Sequence, residues 1–243
     1  MTTNRMTLGP AVRCFTTATA GILLAGLTLG AAPAYGAERA ADLPEFDFSA
    51  CPTADELPAA ADPGTWRCEV MHATGHLRMG AIDEPLAEPM KITFAEGRVG
   101  GEFRQIFGEM TAEPIRVGST PLSLTPQYGG YSDFLSDDRR RGEFDIRFAI
   151  GSAHGLPLLP SDCSVGSDEN AVHLVLKDTE PTRLISQDPL VAVFGAHDAE
   201  FAAPATSGCG RLGRALDRVL GLPSAAGENV FDMDVTVAIR PYS

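Results

Sequence analysis

Lysine is almost missing from this chain, which contains only Lys91 and Lys177. The 32 acidic side chains outnumber the 19 basic ones, so the formal net charge is −13 at pH 7. A protein with this excess of negative charge repels phosphate backbones and anionic lipid surfaces. We therefore expect no nucleic-acid partner and no stable membrane insertion of the mature chain.

The sequence also lacks the short motifs of the common enzyme classes. It contains no Gly-x-Ser-x-Gly elbow, no His-Glu-x-x-His pair, no phosphate-binding loop and no dinucleotide fingerprint. It has no Cys-x-x-Cys pair and no EF-hand spacing. These absences favour a non-enzymatic protein without a cofactor, although catalytic groups that meet only in the folded chain leave no such motif.

Residues 1–34 have the pattern of a secretory signal peptide. Their only charged side chains are two arginines, an apolar run spans residues 20–29, and small residues stand at the end. The apolar run is shorter than the roughly 20 residues that cross a bilayer. Cleavage after Ala34 is favoured over cleavage after Ala37, which would place Tyr35 where a small residue is preferred. We therefore predict a secreted, extracellular protein.

Four cysteines remain after this cleavage: Cys51, Cys68, Cys163 and Cys209. An even number of cysteines in an exported chain indicates disulfides, and three pairings are possible. We favour pairing 51 with 68 and 163 with 209, because each bond then closes the shorter loop. A zinc site is the alternative, but these spacings do not fit a compact zinc finger.

Alternating apolar and polar residues predict that residues 66–243 form one β domain, preceded by an irregular arm at residues 35–65. Period-two alternation is typical of antiparallel strands with one buried face. Two further segments, 172–176 and 190–194, are apolar on both faces and are expected to be central strands. The alternating segments are 66–70, 90–94, 144–150 and 231–239, and residues 103–117, interrupted by Gly108 and Pro114, are also expected to be extended.

One short helix is predicted before the last strand. Its apolar residues follow helical spacing, and Gly221 and Pro223 stand where a helix ends. The apolar positions are Leu212, Ala215, Leu216, Val219 and Leu220. Its arginines, Arg211, Arg214 and Arg218, form either a solvated face or a basic docking stripe. The predicted fold is therefore mainly antiparallel β, a β-sandwich or an open barrel, with one short helix before the last strand.

His72 and His76 are the candidate metal ligands. On a continuous strand they share a face but stand ~13 Å apart, too far to share an ion. If residues 73–75 formed a hairpin loop around Gly75, the two histidines would face each other, and Glu69 could complete a metal site. We favour the strand.

Two polar loops, 151–170 and 195–210, are candidates for a hydrolase or calcium site. A disulfide between Cys163 and Cys209 would tie them together at one end of the fold, where loops on a rigid scaffold often carry function. Their candidate side chains are Ser152, His154, Asp162, Asp168, Glu169, His197, Asp198 and Glu200. Tyr128 and Tyr131 could form a sugar platform, although the chain has a single tryptophan.

The stretches WRCEV, PMKITFAEG, FRQIFGEM and GCGRLG, followed by a late strand, resemble secreted proteins of unassigned function from high-GC Gram-positive (actinobacterial) bacteria. The resemblance covers most of the mature chain and implies export. Because no activity comes with it, it implies no functional residue.

Together these features predict a non-enzymatic, disulfide-stabilised module that binds an unidentified extracellular partner or ligand, or is structural, outside the cell or at the cell wall. The first alternative is a carrier that holds an apolar ligand between sheets, which requires an internal cavity of several hundred Å³. The second alternative is a hydrolase with its site in loops 151–170 and 195–210.

Overall fold

The computed structural model describes residues 43–135, 141–152 and 159–242. The predicted signal peptide and its cleavage site lie outside these residues. None of the described helices is long and apolar enough to cross a membrane. The strands and the α-helix have these bounds: β1 Arg67–Met79, β2 Ile82–Pro85, β3 Met90–Val99, β4 Glu102–Thr111, β5 Ile115–Arg116, β6 Leu122–Asp133, β7 Gly142–Ser152, β8 Ser164–Val165, β9 Val172–Gln187, β10 Leu190–Asp198, β11 Thr206–Ser207, α1 Gly213–Leu220 and β12 Val230–Pro241.

The described strands form one antiparallel sheet. Its main order is β11-β8-β7-β9-β10-β12-β1-β3-β4, while β6 pairs with β7, β5 with β6 and β2 with β1. The predicted fold is therefore confirmed as mainly antiparallel β, with one short helix before the last strand. The two segments that are apolar on both faces lie in β9 and β10, which have strand neighbours on both sides, as predicted.

The sheet curls so that β4 and β6 approach each other without pairing their backbones. The rings of Phe107 on β4 and Tyr128 on β6 stack with their centroids 3.7 Å apart. Just after β6, the backbone N–H of Phe134 donates to Gln105 Oε1 on β4, at 2.8 Å. Side chains thus bridge the two edges, and the curled sheet is an open barrel rather than two packed sheets.

Strand β9 is shared between two neighbours. Residues 172–176 pair with β7, and residues 177–187 pair with β10. Beyond residue 176, no described strand pairs with β9 on the side of β7. Pro181 lies in this stretch, and a proline blunts a strand edge because it has no N–H to donate. The barrel wall is consequently interrupted between β7 and the second half of β9.

The inside of the barrel is apolar. Alternate residues of β7 and β12 point inward as their period-two patterns predict, and they belong to one continuous buried cluster. Helix α1 contributes Leu216 and Leu220 to this cluster. Gly221 then ends the helix in the left-handed conformation, with φ 68°, as predicted.

β1 is oriented differently from what its pattern predicts. Trp66 and Cys68 are buried on the outer face of the barrel, while Arg67 and Glu69 lie on the inner face with Met71. Local alternation shows which residues share a face but not which face is inside. Here the outer face is also covered, so the apolar residues of this segment have a buried environment outside the barrel.

The cover on this outer face is the segment that precedes β1. It begins with extended chain and contains two 3-10 turns, Ala54–Glu56 and Pro63–Thr65. Leu57 from this segment packs in a small cluster with Trp66 and Ala95. The disulfide between Cys51 and Cys68 joins the segment to β1, which confirms this predicted disulfide. We call residues 43–65 the covering arm.

Candidate functional site

The inner face of β1 borders a cavity of about 340 Å³ inside the barrel. Side chains from β1, β3, β4, β7, β9, β10 and β12 line it, and most of them are apolar. Phe134, just after β6, lies between Phe94 and Phe144, with ring centroids 4.8 and 5.8 Å away. Apolar lining residues include Met71, Ile92, Leu176, Ala192, Val235 and Val237.

One end of the cavity is polar. Arg67, Glu96 and Gln105 stand side by side on β1, β3 and β4, because the register pairs Arg67 with Glu96 and Glu96 with Gln105. Arg67 Nε donates to Glu69 Oε1 at 2.9 Å, and the same guanidinium pairs with Glu96. Gln105 Nε2 donates to Glu96 Oε2 at 2.9 Å. Two carboxylates therefore share one guanidinium. We call Arg67, Glu69 and Glu96 the polar end.

The two carboxylates of the polar end are nearly inaccessible to water, whereas half of the Arg67 side chain is exposed. The exposed fractions of the Glu69, Glu96 and Arg67 side chains are 12%, 7% and 52%. Burial, together with the neighbouring Glu96, raises the pKa of Glu69 to about 8, and Arg67 offsets only part of this shift. At neutral pH Glu69 is therefore largely a protonated, neutral acid.

The cavity opens beside the interrupted part of the barrel wall. Leu135, Thr182 and Arg141 line it there, and 44% of Leu135 is exposed. Arg141 is engaged at this position, because its Nε and Nη2 donate to the carboxylate of Asp178 at 2.6 and 2.8 Å. Its guanidinium also lies 4.6 Å from the ring centroid of Phe194. This arginine is thus held at the cavity wall by β9 and β10.

The structure does not bring His72 and His76 together. Both lie on continuous strand β1, opposite Thr236 and Asp232 of β12, so the hairpin alternative does not occur. His72 is buried against Phe46 of the covering arm, with ring centroids 4.9 Å apart, and burial lowers its pKa. His76 instead contacts the carboxylate of Asp83, with Nε2 and Oδ1 2.5 Å apart.

Gly75, the proposed turn residue of that hairpin, has a different role. It lies within β1, and a Cβ atom placed there would be 1.9 Å from the carbonyl oxygen of Asp232 on β12. Glycine is required because the neighbouring backbone approaches too closely for any side chain. Within the described part of the chain, no group of three or more His, Cys, Asp or Glu side chains could hold a metal ion.

The two candidate loops are joined as predicted by the disulfide between Cys163 and Cys209. Two of their acidic side chains, Asp198 and Asp168, make contacts within the fold. Asp198 is buried and accepts the backbone N–H groups of Val175 and Glu200, each at 2.7 Å. It replaces a strand partner for β9 where β10 ends. Asp168 pairs with Arg147 at 2.6 Å.

The other predicted site residues of these loops do not complete a catalytic arrangement in the described residues. Ser152 lies at the end of β7, and Asp162 and Glu169 are exposed. His197 lies on β10 with its Nδ1 3.6 Å from Asp232 Oδ1, and Glu200 pairs with Lys177 at 2.8 Å. His154 lies outside the described residues.

Neither the tyrosines nor the helix arginines form a site. Tyr128 stacks inside the barrel, and the Tyr131 hydroxyl donates to Glu143 at 2.6 Å. No ion pair between an arginine of α1 and another described residue occurs. Arg214 and Arg218 of α1 are exposed, and so is Arg211 in the 3-10 turn Gly210–Leu212 that precedes the helix.

Glu69 and Glu96 are the residues that sequence reasoning missed as a pair. The sequence indicates Glu69 only as a possible helper of the metal hairpin, and the alternation over residues 66–70 places it on the polar face of a strand. No sequence pattern marks Glu96. The one local signal is that β1 carries apolar residues on the face of Glu69 as well as on the opposite face.

No family model, no curated protein and no solved structure matches the chain. Its function is therefore inferred from the geometry of the cavity.

Proposed function

We propose that this protein is an exported binding protein that carries a small apolar molecule inside its barrel. The cavity of about 340 Å³ carries this proposal. Its volume falls in the range of roughly 300–1,000 Å³ that is usual for small-molecule sites. A mainly apolar lining with a few polar groups at one end is also the usual composition of such sites.

The free-energy cost of an empty cavity supports a bound ligand. Core packing normally leaves few voids larger than a water molecule, and a void costs stability in proportion to its volume. Water gains little in a space lined mainly by carbon. An apolar ligand restores the missing contacts, and each methylene that it buries contributes about 0.8 kcal/mol.

The two disulfides support export. Disulfides persist in oxidising compartments, and these two join the covering arm to β1 and the two late loops to each other. A carrier outside the cell needs this reinforcement, because a barrel with an empty interior gives up part of its core. The signal-like pattern of residues 1–34 agrees with secretion.

The test is binding of a neutral apolar dye, N-phenyl-1-naphthylamine, to the oxidised mature protein, followed by displacement with primary alcohols of increasing length. We expect dye fluorescence to rise on binding. The affinity of the alcohols should increase by about fourfold per methylene until the chain fills the cavity, and then level off. A dye that stays dark with the folded protein contradicts the proposal.

Two neighbouring residues on β10 give a matched pair of variants. Ala192 lines the cavity, and Val193 lies on the outer face. Ala192→Phe should abolish dye binding because the added ring occupies the cavity, whereas Val193→Phe should leave binding unchanged. Equal loss in both variants would show that the dye binds elsewhere or that the strand is disturbed.

A further inference from the structure

The charge of the polar end is unbalanced. Its two buried carboxylates, Glu69 and Glu96, are matched by one guanidinium, that of Arg67. With both acids ionised, this end of the cavity would carry one net negative charge. An uncompensated charge in an apolar interior is costly, so the site needs one more positive charge or a proton.

Glu69 receives fewer N–H donors than Glu96. Glu96 interacts with Arg67 and also receives a hydrogen bond from Gln105 Nε2. Glu69 receives the Arg67 Nε–H at its Oε1, and its second partner is the carboxyl group of Glu96, with which it forms a hydrogen bond when it is protonated. Glu69 itself lines the cavity and is 9% exposed. Its position therefore leaves it facing whatever occupies the cavity.

An anionic ligand would fit this end poorly. It would add a negative charge beside the Glu96 carboxylate even while Glu69 holds its proton, and it would have to compete for Arg67, which both acids already contact. The other cavity arginine, Arg141, is engaged by Asp178 through two hydrogen bonds. A neutral hydroxyl could hydrogen-bond here, but Glu69 would then have to keep its proton to balance the charge.

We propose that the ligand of this cavity carries a protonated amine at one end of its apolar part, and that the ammonium group binds to Glu69 and Glu96. This inference rests on the proposed carrier function and names the chemical class of its ligand. The ammonium supplies the missing positive charge and donates up to three hydrogen bonds. The apolar part then extends from the polar end along the cavity past Met71 and Phe94.

Proton balance makes this binding dependent on pH. In the empty cavity Glu69 holds a proton, since its pKa is raised to about 8 by burial and by Glu96. The charged groups that face it are Arg67 on its own strand and Glu96 on β3, and Arg141 lines the opposite wall. Binding of an ammonium replaces the proton, so one proton is released. Amine affinity should therefore rise with pH until Glu69 is ionised.

The experiment compares octylamine, octanol and octanoate, which share one chain length and differ in head group. Calorimetric titrations of the oxidised mature protein at pH 6, 7 and 8.5 give the affinities. We expect octylamine to bind at least about tenfold more tightly than octanol at pH 8.5, since hydrogen bonds to charged groups are the stronger class. Octanoate should be the weakest, and the preference for octylamine should shrink at pH 6.

Variants that replace each carboxylate with a neutral amide test where the ammonium group binds. Glu69→Gln should lower octylamine affinity by roughly tenfold and remove its pH dependence, while octanol affinity stays the same and reports an intact cavity. Glu96→Gln should also weaken octylamine binding. The matched control is Glu109→Gln, an exposed residue of β4 that lines a groove on the outside of the barrel.

The outcomes separate the two proposals. If octanol and the neutral dye bind but octylamine binds no better than octanol, or if octanoate is the tightest, the amine inference is wrong and the carrier function stands. If none of the three ligands nor the dye binds to the folded protein, the carrier function fails and the amine inference fails with it.

Discussion

Arg67 Nε lies 2.9 Å from Glu69 Oε1 on the inner face of β1, where a barrel strand normally presents apolar side chains. Residues two apart on a strand point to the same side, so both side chains enter the barrel together. A nearly inaccessible carboxyl group beside a guanidinium gains little over a hydrophobic pair in stability. Its place at the end of an apolar cavity therefore suggests ligand binding rather than folding as its role.

Stability should fall as pH rises because of Glu69. Its pKa is about 4.5 unfolded and about 8 folded, so the folded state holds the proton more tightly. The resulting stabilisation is complete below about pH 4.5 and is lost as pH rises to about 8. Glu69→Gln should flatten this slope and make the protein more stable at pH 9, on the order of 2 kcal/mol. Urea unfolding at pH 5, 7 and 9 measures the effect.

Exposed Glu88 provides the control for this pH experiment. Glu88→Gln should leave the pH slope of the wild-type protein unchanged. An equally steep slope in Glu69→Gln would show that another group holds the proton, and Glu96→Gln would then be the variant to measure.

Asn229 should be the least replaceable polar residue of the fold. It is fully buried, and its Nδ2 donates to the carbonyls of Phe201 and Ala225 at 2.8 and 3.0 Å. Its Oδ1 accepts from Gly80 N–H and the Ser224 hydroxyl at 3.1 and 2.6 Å. Asn229→Asp keeps the shape but loses both donors, and we expect a loss of about 3 kcal/mol in unfolding free energy.

The same substitution at an exposed asparagine, Asn170→Asp, is the control for Asn229 and should change stability little. Chemical denaturation of both variants at pH 7 gives the comparison. Similar losses in the two variants would indicate that the buried network does not depend on the amide.

Removal of the disulfide between Cys51 and Cys68 should loosen the covering arm. The bond spans 17 residues of sequence, and the chain-entropy relation gives it roughly 3 kcal/mol. The single tryptophan, Trp66, is buried beneath the arm and reports its detachment. In the double variant Cys51→Ser/Cys68→Ser, we expect a red shift of tryptophan emission at urea concentrations below global unfolding.

The other disulfide supplies the contrast. Cys163→Ser/Cys209→Ser should lower the stability of the whole protein without shifting the emission of Trp66 in the folded state, because these loops lie away from the arm. A red shift of the same size in both double variants would contradict the separate role of the arm.

Gly75 should tolerate no side chain. Gly75→Ala would place a methyl group 1.9 Å from the carbonyl oxygen of Asp232, and the strands would have to separate. We expect a loss of about 2 kcal/mol or more, measured as a lower midpoint of thermal unfolding. Gly64→Ala is the control, since its new methyl would have only Asp62 Oδ1 nearby, at 3.5 Å.

The fold class could be predicted because several strands alternate cleanly. In β7, Phe144 and Ile146 are buried while Asp145 is partly exposed, as the period of two requires. The disulfides were predicted from the even number of cysteines in an exported chain, and their pairing from the shorter loop lengths. The helix was found from its spacing and its terminal Gly221, although three of its five predicted apolar positions, Leu212, Ala215 and Val219, are exposed.

The cavity could not be predicted, because it depends on facts that are not local. Around Glu69 both strand faces are buried, one by the arm and one by the barrel, so alternation could not tell inside from outside. The pairing of Arg67 with Glu96 depends on the register between β1 and β3. The role of Asp198 depends on where β10 ends, which no spacing in loop 195–210 reveals.

The division of β9 between two neighbours has a consequence for the dynamics of the protein. Amide protons of residues 172–176 face partners in β7 or the carboxylate of Asp198, and they should exchange with deuterium slowly. From residue 177 onward β9 pairs only with β10 among the described strands, so the amides on its other edge have no strand partner and should exchange faster. One strand therefore holds both a slowly and a rapidly exchanging segment. A molecule that enters the cavity through the barrel wall would need to displace only the rapidly exchanging half of β9. The rest of the barrel would stay in place.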